Sequence, residues 1–172
     1  RSAQNWKSID ILVIDEVSMM SKRIFDILNE IGKRVRRNSK PFGGIQVIFC
    51  GDFYQLSPVS SSEENESDLF CFESPEWYQT FPYDNHIVLN TIFRQTDMKY
   101  KEILSGIRKG QIDKHGMDLL KSCVNRSFDK EKHNGCVPTK LYPTRSKVDN
   151  VNKTMYDKLD GQSYEYDFVS KS

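Results

Sequence analysis

The feature that most constrains this chain is an apolar run, Ile11–Ile14, that ends in two adjacent carboxylates, Asp15 and Glu16. Four consecutive apolar residues, partly β-branched, predict a strand buried on both faces, as in a parallel sheet. Open α/β sheets bind their ligands at the carboxyl ends of such strands. The run therefore predicts an α/β fold with a ligand site at Asp15 and Glu16.

A second buried strand is predicted over Ile45–Cys50, and it runs into a polar segment that contains Asp52 and Gln55. The carboxyl ends of neighbouring parallel strands meet at one edge of a sheet. We therefore expect Asp52 and Gln55 to lie beside Asp15 and Glu16.

Nucleotide hydrolysis is the chemistry that this set of side chains suits. Asp15 could hold Mg²⁺ directly or through water, because Mg²⁺ prefers one or two carboxylates plus phosphate oxygens. Glu16 could polarise the attacking water, and Gln55 could contact the γ-phosphate or that water and so report hydrolysis. The alternative is that the two acidic residues only cap a following helix, since both suit a first turn. The second strand, with its Gly-Asp-x-x-Gln ending, favours the nucleotide site.

Four segments resemble motifs of superfamily-one helicases. Asp15–Met19 resembles the Walker B motif, Gly51–Val59 resembles motif III and Phe93–Gln95 resembles motif IV. The stretch Leu28–Gln46 is similar to the signature of the Pif-type (petite-integration-frequency) DNA helicases, and the specific part of the resemblance is its Pro41–Gln46 run. Ser57 stands where that family usually has a second proline, which affects loop stiffness. The resemblance covers most of the chain and weakens after about residue 160.

This resemblance implies a RecA-like P-loop NTPase sheet, flanked by helices, over residues 1–136, and the start of a second RecA-like motor domain over 137–172. It implies Mg²⁺-ATP hydrolysis coupled to 5′-to-3′ movement on single-stranded DNA, with DNA forks as further partners and a monomeric motor in the complete protein. The resemblance also implies a role in DNA repair, recombination or telomere maintenance. Gln55 and Arg94 would then link γ-phosphate loss to movement between the two domains.

Arg94 follows a third predicted buried strand, Ile87–Phe93. A guanidinium matches phosphate in a bidentate geometry, so an arginine at a strand end beside a nucleotide can neutralise γ-phosphate charge. The alternative is a structural ion pair with a carboxylate such as Asp52. The family resemblance favours the phosphate role.

One departure from the helicase pattern is an absence: no Gly-x-x-x-x-Gly-Lys-Ser/Thr occurs in the 172 residues. The chain begins on Arg1, and we expect a fragment that lacks the Walker A motif and is inactive alone. A Walker A stretch upstream in the complete gene product would favour the enzyme, and its absence there would favour a binding module. Three other functions stay open. They are a nucleotide-driven remodeller that does not unwind, a non-catalytic nucleic-acid-binding or interaction module derived from a helicase, and a paired-carboxylate nuclease. The nuclease is the weakest, since no trailing lysine is apparent after Glu16.

An amphipathic helix is predicted over Ser21–Arg37, with Ser21 as its N-cap. Its apolar residues recur at helical spacing and are expected to face the core: Ile24, Ile27, Leu28, Ile31 and Val35. Basic residues fall on the opposite face, and Lys40 continues them: Lys22, Lys33, Arg36 and Arg37. This basic face is either a solvated surface or a stripe that tracks the phosphates of single-stranded DNA.

Two further nucleic-acid contacts are predicted. Phe42, in the loop after this helix, could stack on a base or could anchor its own loop. Thr144 and Arg145 begin a helix that is expected to run to Leu159 after a short strand at Thr139–Tyr142. Because a helix N-terminus binds phosphate, these two residues could hold the DNA backbone.

Several other segments carry structural predictions. Ser60–Asp68 reads as an acidic loop away from DNA, and the aromatic residues of Leu69–Phe81 read as core. Helices are predicted at Met98–Lys109, with Gly110 as its C-cap, and at Ile112–Val124. Residues 125–135, which include His133, read as a linker or exposed loop.

Composition limits the remaining possibilities. A net charge of +1 gives no global basic field, so any nucleic-acid site must be a local patch. The four cysteines lack paired or metal-ligand spacing, so buried free thiols are predicted. Free thiols fit an intracellular compartment. The nucleus or a mitochondrion is expected if the source is eukaryotic, and this stretch does not determine which. No signal peptide or membrane-spanning apolar run is recognised.

Overall fold

A computed structural model of the chain describes residues 2–59, 69–128 and 138–166. It divides into two compact units, residues 1–122 and 123–172. The predicted acidic loop lies outside the described residues, as do His133 and most of the predicted linker. The predicted domain boundary after residue 136 also falls there and stays a prediction.

The first unit alternates helices and strands, which confirms the α/β class. Its elements are α1 (Ser2–Ser8), β1 (Ile11–Ile14), α2 (Lys22–Arg36), β2 (Gln46–Phe49), α3 (Trp77–Thr80), α4 (Met98–Arg108) and α5 (Lys114–Ser122). Short 3₁₀ turns occupy Val17–Met19, Pro41–Gly44, Cys71–Glu73 and Tyr83–Asn85. The second unit contributes α6 (Arg145–Tyr156). The sequence did not predict α1, whose residues are mostly polar.

Strands β1 and β2 form a parallel pair, with Ile11 opposite Gln46 and Ile14 opposite Phe49. One face of this sheet packs on the core through Leu12, Ile14, Val47 and Phe49. On the other face, Ile11 and Val13 are 53% and 60% exposed. The prediction of strands buried on both faces is therefore wrong for this structure, because within the described residues only one face of the sheet is covered.

The third predicted strand, Ile87–Phe93, is not a strand in the structure. Its apolar side chains are exposed, with Leu89 at 89% and Phe93 at 88%. The short strand predicted at Thr139–Tyr142 is also absent, and Leu141 is exposed. A strand exists only where its backbone bonds to a neighbour, and neither segment pairs with a described strand.

Helix α2 confirms its predicted span and cap, since the Ile24 N–H donates to Ser21 Oγ at 3.3 Å. Its buried residues, however, are Phe25, Asn29 and Gly32. Ile24 and Ile27, which were predicted to face the core, are 47% and 43% exposed. Leu28 packs against the core as predicted. The apolar stripe therefore identifies the helix correctly, but Ile24 and Ile27 are offset from the face that is buried.

The buried face of α2 meets the turn Pro41–Gly44 at very short range. A Cβ on Gly32 would lie 2.6 Å from the carbonyl carbon and oxygen of Phe42, so any larger residue would displace the turn. Phe42 has a positive φ of 51°, and its N–H donates to Asn29 Oδ1 at 2.7 Å. Arg36 Nε donates to the Gly43 carbonyl at 3.0 Å. Contact at this range explains why glycine and polar residues occupy the buried face.

An aromatic cluster fills the space between α2, the sheet and α3. Phe25 lies 5.5 Å from Phe42 and 5.6 Å from Trp77 between ring centroids, and Phe49 lies 4.8 Å from Phe81. These tilted and edge-to-face contacts stabilise the core beyond area burial. The prediction that the aromatic residues of Leu69–Phe81 belong to the core is confirmed for Trp77 and Phe81.

The described cysteines are free, as predicted, but only one of them is buried. Burial raises the pKa of the Cys71 thiol to about 11, and its Sγ donates to the Val17 carbonyl at 3.6 Å. Cys50 and Cys123 are exposed. Burial of the thiols as a class is therefore not confirmed.

Helices α4 and α5 lie where the sequence predicts helices, although α5 is shorter than expected. Asp97 caps α4 by accepting from the Tyr100 N–H at 3.1 Å, and Gly110 follows the helix with φ 67°. Ile103 and Gly116 are buried. In the described parts of the chain, none of the helices has the length and apolar character needed to cross a bilayer.

We predict that Asn29→Ala destabilises the chain by about 1–3 kcal/mol, because it leaves the buried Phe42 N–H without an acceptor. Asn38→Ala is the matched control, since Asn38 accepts the Lys40 N–H at an exposed site. Urea unfolding followed by tryptophan fluorescence measures both variants. Equal losses of stability in the two variants would contradict the prediction.

Candidate nucleotide site

The segments that follow β1 and β2 are in direct contact, as the sequence predicts. The Cys50 N–H donates to the Ile14 carbonyl at 2.9 Å, and the Val17 N–H donates to the Cys50 carbonyl at 3.1 Å. A Cβ on Gly51 would lie 2.9 Å from the Val17 nitrogen, so only glycine allows this approach. The parallel register therefore brings the Asp15–Glu16 corner against the start of the second polar segment.

Asp15 and Glu16 form an exposed corner at the end of β1. Glu16 has left-handed backbone angles, φ 54° and ψ 43°, and its N–H donates to Asp15 Oδ1 at 2.9 Å. A non-glycine residue in this conformation costs of order 1 kcal/mol, and such strain is concentrated at functional sites. The Glu16 side chain makes no capping bond to the following 3₁₀ turn. The helix-capping alternative is thus not supported for Glu16.

Asp52 organises a tight turn that ends at Gln55. The Gln55 N–H donates to the Asp52 carbonyl at 2.9 Å, and the Tyr54 N–H donates to Asp52 Oδ1 at 3.1 Å. Gln55 is exposed at the end of this turn. The turn therefore directly follows the Cys50–Gly51 segment that contacts the Glu16 loop, and Gln55 is its last residue.

The partner of Asp52 is Arg108 at the end of α4. Arg108 Nε donates to Asp52 Oδ2 at 2.6 Å and Arg108 Nη2 donates to Oδ1 at 2.9 Å. The guanidinium also lies 4.4 Å from the centroid of the Tyr54 ring. The sequence left open a structural ion pair between Arg94 and Asp52. That alternative is wrong, because Arg108 is the arginine that pairs with Asp52.

Sequence reasoning missed Arg108. A basic residue in the last turn of a helix is already explained by its favourable interaction with the helix dipole. The sequence therefore provided no reason to expect a functional role for Arg108. Its carboxylate partner lies 56 positions away in the sequence. A spacing of this size carries no periodic signal that a single sequence could reveal.

The ion pair between Asp52 and Arg108 shifts the pKa values of both groups away from their ordinary values. Hydrogen bonding to Arg108 is the main cause that holds the pKa of Asp52 below its ordinary value, and the Tyr54 N–H and the Gln55 side chain lower it further. The same ion pair raises the pKa of Arg108. Asp52 is therefore a fully engaged carboxylate, unlike Asp15.

Arg94 is exposed, and within the described residues its side chain has no hydrogen bond or ion pair. Its segment is tied to α4, because Lys101 Nζ donates to the Ile92 carbonyl at 3.0 Å. No described contact joins Arg94 to the two polar loops. Its phosphate role stays a prediction.

The predicted basic face of α2 is largely occupied by structural contacts. Lys22 pairs with Asp26 at 3.1 Å, and Lys33 pairs with Glu76 at 2.6 Å. Arg36 donates to the carbonyls of Trp6, Lys7, Ile9 and Gly43, and so joins α1 to α2 and the turn. These contacts favour the structural alternative for Arg36 over a DNA contact.

Arg37 and Lys40 are the exposed remainder of the predicted basic stripe. Phe42 is fully buried, so the prediction that it stacks on a base is wrong and its loop-anchoring alternative holds. Thr144 and Arg145 are exposed at the start of α6, and the Thr144 side chain makes no capping bond. Their DNA contact stays a prediction, and the helix ends at Tyr156 rather than Leu159.

Known proteins resemble this chain in both sequence and fold. The family model described as PIF1-like helicase matches residues 1–117. The chain belongs to this family. The ATP-dependent DNA helicase RRM3 of Saccharomyces cerevisiae is 38% identical over 97% of the chain and 22% of that protein. The ATP-dependent DNA helicase PIF1 of Homo sapiens is 32% identical over 98% of the chain and 25% of that protein.

Solved structures of PIF1-like helicases share the fold. The Pif1 helicase of Candida albicans matches with a TM-score of 0.81 and 36% identity, over 94% of this chain and 35% of that one. A Bacteroides Pif1 in complex with ADP-AlF3 and single-stranded DNA matches with a TM-score of 0.72 and 27% identity, over 93% of this chain and 38% of that one. The chain spans between a fifth and a quarter of the length of these curated helicases.

We predict that the coupling free energy between Asp52 and Arg108 depends on pH. A carboxyl with a lowered folded-state pKa contributes stability above its unfolded pKa, about 3.9 for aspartate, and loses it as the pH falls through the folded value. The coupling should be complete at neutral pH and shrink below about pH 4. A double-mutant cycle of Asp52→Asn and Arg108→Gln, unfolded in urea at several pH values, measures it. Coupling that grew as the pH fell would contradict this assignment.

Proposed function

We propose that the chain forms the hydrolytic side of the nucleotide site in an ATP-dependent DNA helicase motor, which moves 5′ to 3′ on single-stranded DNA. The observation that carries the proposal is the contact between the two polar loops, made by the Val17–Cys50 hydrogen bond and the close approach at Gly51. Family membership supports the class of reaction, because the related proteins are ATP-dependent DNA helicases.

In this proposal Glu16 activates the attacking water and Gln55 contacts the γ-phosphate or that water. Both side chains are exposed on loops that touch each other. The left-handed corner at Glu16 directs the backbone N–H onto Asp15, so the Glu16 carboxylate is not needed for a local cap. Among the described residues the Glu16 carboxylate has no hydrogen-bond or ion-pair partner, and a carboxylate of this kind is suited to accept a proton from water.

Asp15 is the carboxylate that fits Mg²⁺. One of its oxygens accepts the Glu16 N–H, and its other oxygen has no bond to the described residues. Asp52 does not fit, because Arg108 and the Tyr54 N–H engage both of its oxygens. A Mg²⁺ ion held by Asp15 and phosphate oxygens would neutralise phosphate charge when bound.

Arg94 is proposed to bind the γ-phosphate. Its guanidinium makes no ion pair in the described part of the chain, so its donors are available to a bidentate anion. Arg108 satisfies Asp52 and so leaves Arg94 without competition from that carboxylate. Together with Gln55, Arg94 would communicate phosphate loss to the second unit.

Single-stranded DNA and forks are the proposed partners. Related solved structures include a Bacteroides Pif1 bound to single-stranded DNA and Pif1 helicases on forked double-stranded DNA. In this chain the proposed contacts are Arg37 and Lys40 after α2, with Thr144 and Arg145 at the start of α6. These contacts would meet the phosphate backbone and give little sequence preference.

We predict that Glu16→Gln, in the complete product of the gene that encodes this chain, lowers DNA-stimulated ATP hydrolysis by roughly 10²- to 10⁴-fold. The variant keeps the size of the side chain but removes the base, so ATP binding should be largely retained. Phosphate release and fluorescent-nucleotide binding measure the two quantities.

Glu30→Gln is the matched control, because in the described part of the chain Glu30 pairs with Arg34 on the exposed side of α2, and its loss should leave the rate unchanged. Hydrolysis at the parent rate by Glu16→Gln would exclude Glu16 as the base.

The 172-residue chain alone should not hydrolyse ATP, because it contains no phosphate-binding glycine loop or Walker lysine.

We predict that reversing Arg37 and Lys40 to glutamate weakens binding to single-stranded DNA and flattens its salt dependence. Two lost phosphate contacts should lower the slope of log K against log salt by about 1.4. Fluorescence anisotropy between low and moderate salt measures the slope. Arg34→Glu is the control on the same helix. An unchanged slope for the double variant would show that Arg37 and Lys40 belong to a solvated surface and do not contact DNA.

A further inference from the structure

Arg108 contacts the Asp52–Gln55 turn on two sides. Its guanidinium makes two hydrogen bonds to the Asp52 carboxylate, at 2.6 and 2.9 Å. The same group lies over the Tyr54 ring at 4.4 Å. The Asp52 side chain is only 21% exposed, although it lies in a surface loop. One residue of α4 therefore fixes both the first and the third position of the turn.

The carboxylate that Arg108 holds is also the group that builds the turn. Asp52 Oδ1 accepts the Tyr54 N–H, and the Asp52 carbonyl accepts the Gln55 N–H. Rotation of the Asp52 side chain would break its hydrogen bond with the Tyr54 N–H. The turn would then loosen, and the orientation of the Gln55 side chain would change. The position of Gln55 thus depends on Asp52, and the rotamer of Asp52 depends on Arg108.

We propose that Arg108 is a positioning residue for hydrolysis, which holds the Asp52–Gln55 turn so that Gln55 reaches the nucleotide. This inference rests on the proposed function. Arginine suits the task because its planar fork binds both carboxylate oxygens at once and stacks on an aromatic ring, whereas lysine offers a point charge. Arg108 also joins α4 to the turn, so α4 determines where Gln55 lies.

The test is a double-mutant cycle in the complete gene product, with Arg108→Gln, Gln55→Ala and the double variant. Arg108→Gln should lower kcat for DNA-stimulated ATP hydrolysis by roughly ten- to a hundredfold, since small misplacements of a reacting group cost this much. KM for ATP should change little. In the Gln55→Ala background, Arg108→Gln should have no further effect on kcat, because the group that it positions is already gone.

This readout separates positioning from folding. A purely structural loss removes active protein by the same factor in both backgrounds, so equal factors would overturn the proposal. Arg108→Lys keeps the charge and guards against misfolding of the glutamine variant. It should also lower kcat only when Gln55 is present, and full activity of Arg108→Lys would overturn the bidentate argument.

Arg34→Gln is the matched control, because Arg34 also pairs with a carboxylate, Glu30, but makes no described contact with the turn. It should leave kcat unchanged in both backgrounds. A parent protein without any DNA-stimulated hydrolysis would instead overturn the proposed function, and this inference with it. A parent protein that hydrolyses ATP normally, with Arg108 variants that match it, would overturn this inference alone.

Discussion

The close packing of α2 on the turn Pro41–Gly44 is the contact on which the rest of the first unit depends. Gly32 has no Cβ, and the Phe42 backbone occupies the space where one would be. Asn29 and Arg36 then hold the turn through hydrogen bonds to its backbone. The turn leads directly into β2, whose Gln46 N–H donates to the Asp10 carbonyl at 3.0 Å. The register of β2 against β1, and so the meeting of the two polar loops, follows from the position of this turn.

Local signals were sufficient where the chain determines its own conformation. The spans of β1, β2 and α4 and the Ser21 cap of α2 follow from apolar runs, helical spacing and capping residues. The meeting of Asp15–Glu16 with the start of the second loop was also predictable. Two adjacent parallel strands must end at one edge of the sheet, so this conclusion needed only the recognition of two strands.

Features that depend on distant partners were not predictable. The buried face of α2 carries Asn29 and Gly32 because a turn approaches it closely, and this reversed the expectation from Ile24 and Ile27. Ile87–Phe93 has the composition of a buried strand but has no described neighbour to bond with. Arg108 lies 56 positions from Asp52, and only the fold reveals that they pair.

The pairing of Arg108 with Asp52 also divides the acidic residues of the site by role. Asp52 is neutralised within the fold, whereas Asp15 and Glu16 remain exposed and carry their charge toward any ligand. A triphosphate would be repelled by these two carboxylates unless cations balance them. Arg108 cannot supply that balance while it holds Asp52. In the proposed site, Arg94 and an ion on Asp15 would supply the balancing charge from this chain, so the structural ion pair would leave the site dependent on the groups that bind phosphate.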